Sequence, residues 1–119
     1  MIRLPYPPSV NAYWRMFARA GSARIYVTHE AQAYKRSCAL SAVAQGVRPL
    51  DGPVAVELHV FRPRKSGDLD NTLKVLLDAL KGVAWEDDRQ IISIRAFRFD
   101  DAEDPRVEFH ACPAKEAPL

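Results

Sequence analysis

Four leucines in the second half of the chain recur at steps of four, three and four residues: Leu69, Leu73, Leu76 and Leu80. This spacing places them along one face of an α-helix. The sequence therefore predicts a helix over residues 68–81, with Asp68 as its N-cap and Gly82 directly after its end. A helix with one apolar face needs a second layer, and 119 residues supply that layer within one domain. We predict a single domain over residues 1–119, with a frayed tail from Pro113.

Alternation of apolar and polar residues, the period of a half-buried strand, indicates the layer against which this helix packs. The alternation predicts strands over residues 54–61, 91–99 and 106–111. A short strand over residues 2–4 precedes a proline-rich stretch that cannot extend a strand ladder.

A second helix is predicted over residues 31–44, with Thr28 as its N-cap and Gly46 after its end. Residues 9–23 are predicted to form an exposed loop, followed by a strand over residues 24–27. Strands and helices are mixed without a strict βαβ repeat. The predicted class is therefore α+β, a small domain whose mixed or mostly antiparallel sheet carries two main helices.

Composition excludes collagen-like, low-complexity and wholly disordered proteins. Hydrophobic residues make up 48% of the chain and charged residues 27%, which is ordinary for a globular domain. No apolar run approaches the roughly 20 residues of a membrane helix, so no membrane partner is expected. Cys38 and Cys112 form neither a disulfide framework nor a CxxC metal site. We expect a protein of the reducing cytoplasm.

The net charge of +2 conceals an uneven distribution of charge. Residues 1–66 carry ten Lys or Arg against three Asp or Glu, whereas residues 67–119 carry seven against twelve. A basic half indicates a polyanionic partner. An acidic half would repel that partner, so the acidic residues require a role of their own.

The acidic residues cluster at two places. Asp68 and Asp70 begin the predicted helix, Lys74 lies one turn later, and Asp87 and Asp88 follow the helix. If the segment after the helix turns back along it, the carboxylates converge on a site for a hard cation such as Mg²⁺, or Mn²⁺ in its place. A second interpretation stays open, in which these residues are an N-cap, an i,i+4 ion pair and a solvated turn.

Other chemistry has less support in the sequence. His29, His59 and His110 lie far apart, so neither a metal site nor a Ser-His-Asp arrangement follows from them. A glycine-rich phosphate loop and a Walker motif are both missing from the sequence, and we expect no nucleotide cofactor. Aromatic residues beside Arg15 combine stacking surface with positive charge, as binding of unpaired bases requires, although packing in the core explains them equally well.

The same residues carry a resemblance to a known family. The matching blocks are residues 4–9, Asn11 with Arg15, residues 30–35, Asp68-Leu69-Asp70-Asn71 with Lys74, residues 78–80, and Trp85-Glu86-Asp87-Asp88. In order and spacing, over nearly the whole chain, they resemble the RusA family of Holliday junction resolvases. The Asp-Leu-Asp-Asn block is specific in combination with the later Asp-Asp pair.

This resemblance implies a homodimeric, Mg²⁺-dependent endonuclease that nicks two opposed strands of a four-way DNA junction in recombination and repair. Position by position, Asp68, Asp70 and Asp88 match the family's metal-binding carboxylates. Lys74 matches its catalytic lysine, and Asp87 matches a neighbouring acid with a supporting role. Phosphodiester hydrolysis needs an activated water and stabilisation of developing charge, and a divalent metal supplies both.

The basic half of the chain is expected to contact DNA phosphates, which gives salt-dependent affinity without sequence information. The predicted DNA-binding residues are Asn11, Arg15, Arg62, Arg64 and Lys65. The chain departs from the family at one point, because Gly67 stands where family members have a basic residue directly before the first aspartate. This departure weakens the expected DNA contact at that position and leaves the metal ligands unchanged.

Two other functions stay open. A non-catalytic DNA-binding accessory protein of replication or recombination would use the basic half and leave the acids as surface. A metal-dependent phosphohydrolase acting on nucleotides would use the acids and leave the basic excess without a role. Substitution of Asp70 separates the first from a nuclease, and steep salt dependence of DNA binding argues against the second.

Overall fold

The computed structural model of the chain describes residues 1–9, 14–19, 22–64 and 69–117, with the backbone alone for 14–19 and 22–27. Its strands and helices are β1 (Ile2–Pro5), β2 (Trp14–Arg19), β3 (Ser22–Val27), α1 (His29–Ala44), β4 (Val54–Arg62), α2 (Leu69–Leu80), β5 (Ile91–Asp100) and β6 (Arg106–Pro113). A single-turn 3₁₀ helix at Asp88–Gln90 precedes β5, and another at Ala114–Glu116 follows β6. The mixture of elements confirms the predicted α+β class.

Four strands form one mixed sheet in the order β1-β6-β4-β5, and β2 and β3 form a separate antiparallel pair. Within the larger sheet, β6 runs antiparallel to β1 and to β4. By contrast, β4 and β5 run parallel, with Val54 beside Ile91 at one end and Arg62 beside Asp100 at the other. Parallel neighbours need a crossover connection, and α2 provides it. The helix therefore runs back from the carboxyl end of β4 to the amino end of β5.

One face of the sheet packs against both helices and forms the core. Strand β4 alternates as predicted, with its even-numbered residues from Val54 to Val60 buried on this face. Along α2, Leu76 and Leu80 are fully buried as predicted, whereas Leu69 and Leu73 are half-buried. The buried face of α2 is completed by the smaller residues Val75 and Ala79. The helix thus meets the sheet along a wider stripe than the leucines alone indicate.

Helix α1 begins where the sequence predicts. The Thr28 hydroxyl accepts a hydrogen bond from the Ala31 amide at 3.2 Å, which satisfies one of the free donors of the first turn. The Tyr34 hydroxyl donates to the Pro5 carbonyl at 2.8 Å. These contacts fix α1 against β1 and cover that side of the core.

The opposite face of the sheet carries no helix among the described residues. After the register shift between Val54 and Ala55, odd-numbered residues of β4 and β5 lie on this open face. They include Phe61 of β4 and Phe97 and Phe99 of β5, and the Phe61 and Phe99 rings stack at 5.0 Å between centroids. Arg106 of β6 lies over the Phe61 ring at 3.8 Å. The domain is therefore built in two layers, one of helices and one of sheet.

Two segments differ from the sequence-based prediction. Residues 14–19 were predicted as loop but form β2, which pairs with β3 along its full length. This strand lacks a clear alternation, and its partner strand rather than its own pattern determines its conformation. The tail predicted to fray from Pro113 contains the second 3₁₀ turn, where the Ala114 amide donates to the Pro53 carbonyl at 2.9 Å.

Within the residues that the structure describes, the helices are too short or too polar to cross a membrane.

Candidate functional site

Asp70 and Lys74 lie on the exposed side of α2. Asp70 stands in the first turn of the helix, where the helix dipole favours negative charge. Lys74 follows one turn later, and both side chains are exposed. Among the described residues, neither has an ion-pair partner within 4.0 Å, so the i,i+4 pair is not closed. Both charged groups are therefore available to a ligand.

Asp88 stands at the start of the 3₁₀ turn that precedes β5. Its Oδ1 accepts a hydrogen bond from Nε1 of Trp85 at 3.0 Å. Trp85 is fully buried in the core, so the indole holds this carboxylate in a fixed orientation. In the described part of the chain, Oδ2 of Asp88 has no hydrogen-bond partner.

Asp87 has a structural role. Its carboxylate caps the 3₁₀ turn through the Arg89 amide at 2.9 Å and pairs with the Arg89 guanidinium at 3.0 Å. Its own amide donates to Oε1 of Gln90 at 2.9 Å, which completes a capping box. The hydrogen bond from the Arg89 side chain is the main cause that holds the pKa of Asp87 below its usual value. Both carboxylate oxygens of Asp87 are thus engaged by Arg89.

The segment between α2 and β5 does not turn back along the helix. The Ala84 amide donates to the Leu80 carbonyl at 3.0 Å, and the Leu50 amide donates to the Ala84 carbonyl at 2.9 Å. Nε2 of Gln90 then donates to the Leu50 carbonyl at 2.7 Å. These bonds hold the segment at the C-terminal end of α2, beside the start of β4.

Asp70 and Asp88 consequently lie at opposite ends of the β4–α2–β5 unit. Because α2 runs antiparallel to both strands, Asp70 stands at their carboxyl end and Asp88 at their amino end. Ten residues of α2 separate Asp70 from Leu80, a rise of about 15 Å. The convergence of carboxylates expected from the sequence does not occur between these two residues of one chain. Asp68, the third predicted ligand, lies outside the described residues.

The described aspartates offer the kind of ligand that a divalent cation binds, but within one chain they are not placed to bind the same ion. Asp70 and Asp88 each offer free carboxylate oxygen, the ligand that Mg²⁺ prefers. No group of three His, Cys, Asp or Glu side chains is placed to hold a metal ion in the ranges that the structure describes. A complete ligand set therefore needs Asp68, a second chain, or both.

The predicted DNA-binding residues are only partly described. Arg62 is 9% exposed, and its guanidinium contacts Oδ1 of Asp100 through Nε at 2.9 Å and through Nη2 at 2.8 Å. Arg64, two residues further, is exposed at the same end of β4 as Asp70. Asn11 and Lys65 lie outside the described residues, as does the side chain of Arg15.

Two contacts of the site were not predicted from the sequence. Trp85 orients Asp88 across a spacing of three residues, and only its burial shows that it is an anchor. Asp78, on the face shared with Asp70 and Lys74, pairs with Lys35 of α1 at 2.9 Å. The Asp78 carboxylate joins the two helices, and the charged groups left for a ligand on α2 are those of its N-terminal half.

Comparison with known proteins decides which family this arrangement belongs to. The family model "Endodeoxyribonuclease RusA" matches residues 5–110. The chain belongs to the RusA family. It is 34% identical over 110 residues to the crossover junction endodeoxyribonuclease RusA of Escherichia coli K12, covering 90% of this chain and 88% of that protein. It is 36% identical over 103 residues to the protein of the same name from Enterobacteria phage HK97, covering 80% and 78%.

Membership of the RusA family confirms the resemblance that the sequence motifs indicate. The match extends from the proline-rich stretch after β1 to β6 and includes both Asp70 and Asp88. The family is one of nucleases, so the exposed residues Asp70 and Lys74 of α2 and Asp88 before β5 belong to a nuclease fold.

Proposed function

We propose that this RusA-family protein is a Mg²⁺-dependent endodeoxyribonuclease that resolves four-way DNA junctions by paired, symmetric nicks. The observation that carries the proposal is the similarity to crossover junction endodeoxyribonucleases over 90% of the chain. Asp70 and Asp88 support it, because the Asp70 carboxylate and Oδ2 of Asp88 are left available to a metal ion by the described residues. Mn²⁺ is expected to replace Mg²⁺, since both prefer oxygen ligands.

The separation of Asp70 and Asp88 supports a homodimer as the active species. One chain cannot direct both carboxylates at the same ion, because about 15 Å of helix lies between their ends of the fold. Two chains related by a two-fold axis, with their β4–α2–β5 units antiparallel, bring Asp70 of one chain beside Asp88 of the other. The same symmetry supplies two equivalent sites, one for each of two opposed strands.

The bound metal would activate water and stabilise charge on the phosphoryl oxygens. The chain's own residues have separate tasks. Asp70, with Asp68 before it, presents carboxylate oxygen from the start of α2. Asp88 presents carboxylate oxygen from an orientation fixed by Trp85, so little entropy is lost when a ligand binds. The Lys74 ammonium, one turn from Asp70, balances the negative charge that develops on the phosphate.

DNA affinity is assigned to the basic side chains at the carboxyl end of β4. Arg64 is exposed there, on the same side of the fold as Asp70. Arg62 lies at the same end of β4, and its guanidinium is bound to Asp100. Contacts from such residues to phosphates hold the junction and weaken steeply with added salt.

The test uses a synthetic four-way junction and a linear duplex of the same sequence, each with Mg²⁺ or EDTA. We expect paired nicks in the junction alone. EDTA should abolish them, and Asp70→Asn should reduce them at least a hundredfold. Asp51→Asn is the matched control, because Asp51 is also an exposed aspartate but lies before β4, and its activity should equal that of the wild type. Junction binding without cleavage under any metal would identify a DNA-binding accessory protein instead.

A further inference from the structure

The side chain of Gln90 connects the acidic turn before β5, residues 86–88, to the loop before β4, residues 50–53. We propose that Gln90 is a positioning residue of the active site, which fixes the backbone of the turn in the conformation that presents Asp88 to a metal ion. Its four hydrogen bonds to these two segments are called the Gln90 bridge here. This role rests on the nuclease of the proposed function and adds a residue to its site.

The amide of Gln90 uses its full hydrogen-bonding capacity. Oε1 accepts from the Glu86 amide at 3.0 Å and from the Asp87 amide at 2.9 Å. Nε2 donates to the Leu50 carbonyl at 2.7 Å and to the Gly52 carbonyl at 3.0 Å. Because a glutamine side chain offers two donor hydrogens and two acceptor lone pairs, all four positions of the amide are used.

This pattern determines both the orientation of the amide and the type of residue. The reverse orientation would direct the side-chain NH₂ group at two backbone N–H groups. Gln90→Glu would direct a carboxylate oxygen at the Leu50 and Gly52 carbonyls, which also carry negative partial charge. An apolar side chain would leave all four backbone groups without this partner. Only a primary amide of this length serves both donors and both acceptors.

The turn that carries Asp88 is short and exposed. The 3₁₀ helix Asp88–Gln90 has three residues, and 3₁₀ hydrogen bonds have poorer geometry than those of an α-helix. Asp88 itself is exposed, so packing in the core does not fix its main chain. The Gln90 bridge binds the amides of Glu86 and Asp87, the two residues directly before Asp88. The bridge thereby determines where the Cα atom of Asp88 lies.

Trp85 and the Gln90 bridge act on different parts of Asp88. The Trp85 indole donates to Oδ1 of the carboxylate at 3.0 Å, which orients the side chain. The bridge holds the backbone from which that side chain extends. A ligand has to be held within about 0.5 Å of its productive position, and the orientation of a side chain is of use only if its backbone is also fixed. We therefore expect metal binding to depend on both contacts.

The loop before β4 is a firm anchor for the bridge. The Leu50 amide donates to the Ala84 carbonyl at 2.9 Å. Gly52 has a φ of 69°, a region that favours glycine. None of the described atoms lies within 4 Å of a Cβ atom added to Gly52, so a substitution there acts through the backbone alone. Gly52 thus gives access to the bridge from the end opposite Gln90.

Two variants disrupt the bridge from its two ends, and each has a matched control. Gln90→Met removes the amide and keeps the length of the side chain. Its control is Gln45→Met, because the Gln45 amide also bonds to backbone groups, but at the β1 edge. Gly52→Val forces a β-branched residue into a positive φ and should move the Gly52 carbonyl away from Nε2. Its control is Gly46→Val, since Gly46 has a φ of 89° after α1 and equally open surroundings among the described residues.

The first readout needs neither metal nor DNA. In EDTA, the NMR resonance of the Trp85 indole N–H, assigned by its loss in Trp85→Phe, reports the hydrogen bond to Asp88. Both bridge variants should move this resonance toward that of a free indole, and the two controls should not. Gln90→Met should also speed hydrogen exchange of the Glu86 and Asp87 amides about tenfold. An unchanged resonance in the folded bridge variants would overturn the proposal.

The second readout is the affinity for Mg²⁺, followed by titration of the same resonance without DNA. Both bridge variants should bind Mg²⁺ at least about tenfold more weakly than the wild type. Junction binding in EDTA should be unchanged, and higher Mg²⁺ should restore part of the cleavage. Thermal unfolding shows which variants are folded at the assay temperature, and Gly52→Val carries the test if Gln90→Met is not. Wild-type affinity for Mg²⁺ in a folded bridge variant would overturn the positioning role.

Junction cleavage by the wild type separates this proposal from the proposed function. Cleavage by the wild type, together with bridge variants of unchanged Mg²⁺ affinity, would remove the positioning role and keep the nuclease. A wild type that cleaves no junction, but whose Trp85 resonance moves in both bridge variants, would keep the bridge as the support of Asp88 and remove the nuclease.

Discussion

The two outer edges of the four-stranded sheet differ in length and in how side chains cover them. At one edge, β1 is four residues long, and the Gln45 side chain accepts from the Arg3 amide at 2.9 Å and donates to the Arg3 carbonyl at 2.8 Å. Ser41 donates to the same carbonyl at 2.8 Å. At the other edge, β5 has ten residues and no such cover among the described residues. The chain thus covers the edge of its sheet at β1 and leaves the edge at β5 open.

Covering an edge with side chains of a neighbouring helix protects it from other strands. Here α1 does so for β1, because Gln45 follows its last turn and reproduces both hydrogen bonds of a neighbouring strand. Helix α2 packs over β4 and β5 but supplies no side chain to the β5 edge. An unprotected edge of this length is open to pairing with another strand.

The largest expected effect tests whether two chains share one active site. Asp70→Asn and Asp88→Asn should each be inactive alone. Mixed and allowed to exchange subunits, they should regain about a quarter of the wild-type nicking, because half of the dimers then hold one intact site of two. The nicks should be single rather than paired, as measured on a four-way junction with one labelled strand.

A control for this mixing experiment exists on α2. Asp70→Asn mixed with Lys74→Ala should recover nothing, because both residues lie on the same helix and belong to the same site. Recovery in that mixture, or none in the first, would contradict a site shared between chains.

A smaller effect concerns stability at high pH and compares the buried Cys38 of α1 with the half-buried Cys112 of β6. Cys38 of α1 is fully buried, and burial raises the pKa of its thiol to about 11 from the usual 9.0. The folded state therefore holds this proton more tightly than the unfolded state. The stabilisation is complete below pH 9 and is lost as the pH rises from 9 to 11, by on the order of 2 kcal/mol.

Urea denaturation at several values of pH measures this loss. Cys38→Ala should lower stability at pH 8 and flatten the curve between pH 9 and pH 11, since other groups titrate equally in both proteins. Cys112, half-buried on β6, should react with a thiol reagent in the folded protein, whereas Cys38 should react only after unfolding. Parallel curves for the two proteins would exclude Cys38 as the cause.

A third, smaller effect on cleavage is expected at the amino end of β5, where Trp85 contacts Asp88. Trp85→Phe keeps an aromatic ring in the core but removes the N–H that donates to Asp88 at 3.0 Å. We expect cleavage to fall about tenfold, the effect of losing one orienting partner of a ligand, with junction affinity unchanged. The control is the Mg²⁺ dependence of cleavage, because a misoriented ligand weakens metal binding and higher Mg²⁺ should then restore part of the activity. A loss of activity that Mg²⁺ does not change would show that Trp85 acts through the core instead.

The periodicity of the sequence predicts most of the fold but not the relation between its two acidic sites. Helix α1 with its Thr28 cap, the leucine face of α2 and the alternation of β4 are local patterns, and the structure confirms them. Whether β5 joins β4 parallel or antiparallel depends on long-range pairing, which no local pattern encodes. The parallel pairing of β5 with β4 separates Asp70 from Asp88. Residue spacing alone therefore could not show whether the two carboxylates converge within one chain.

The family motifs indicate the candidate site residues, whose roles stay predictions, but not the residues that contact them. Asp70, Lys74 and Asp88 were identified by order and spacing alone, and each is exposed in the structure. Their partners depend on side-chain contacts between distant segments. The anchor of Asp88 in Trp85 and the pairing of Arg62 with Asp100 are therefore visible only in three dimensions.

The smallest expected effect concerns the covered β1 edge of the sheet. Gln45→Ala removes the amide that pairs with both backbone groups of Arg3, and its loss should cost about 1 kcal/mol, since these exposed groups regain water. Gln32→Ala is the matched control, an exposed glutamine in the first turn of α1, and should change stability by less than about 0.5 kcal/mol. With its β1 edge uncovered, the Gln45 variant should also form higher oligomers at high concentration, measured by light scattering. The wild type should stop at the dimer, because its β1 edge accepts no further strand.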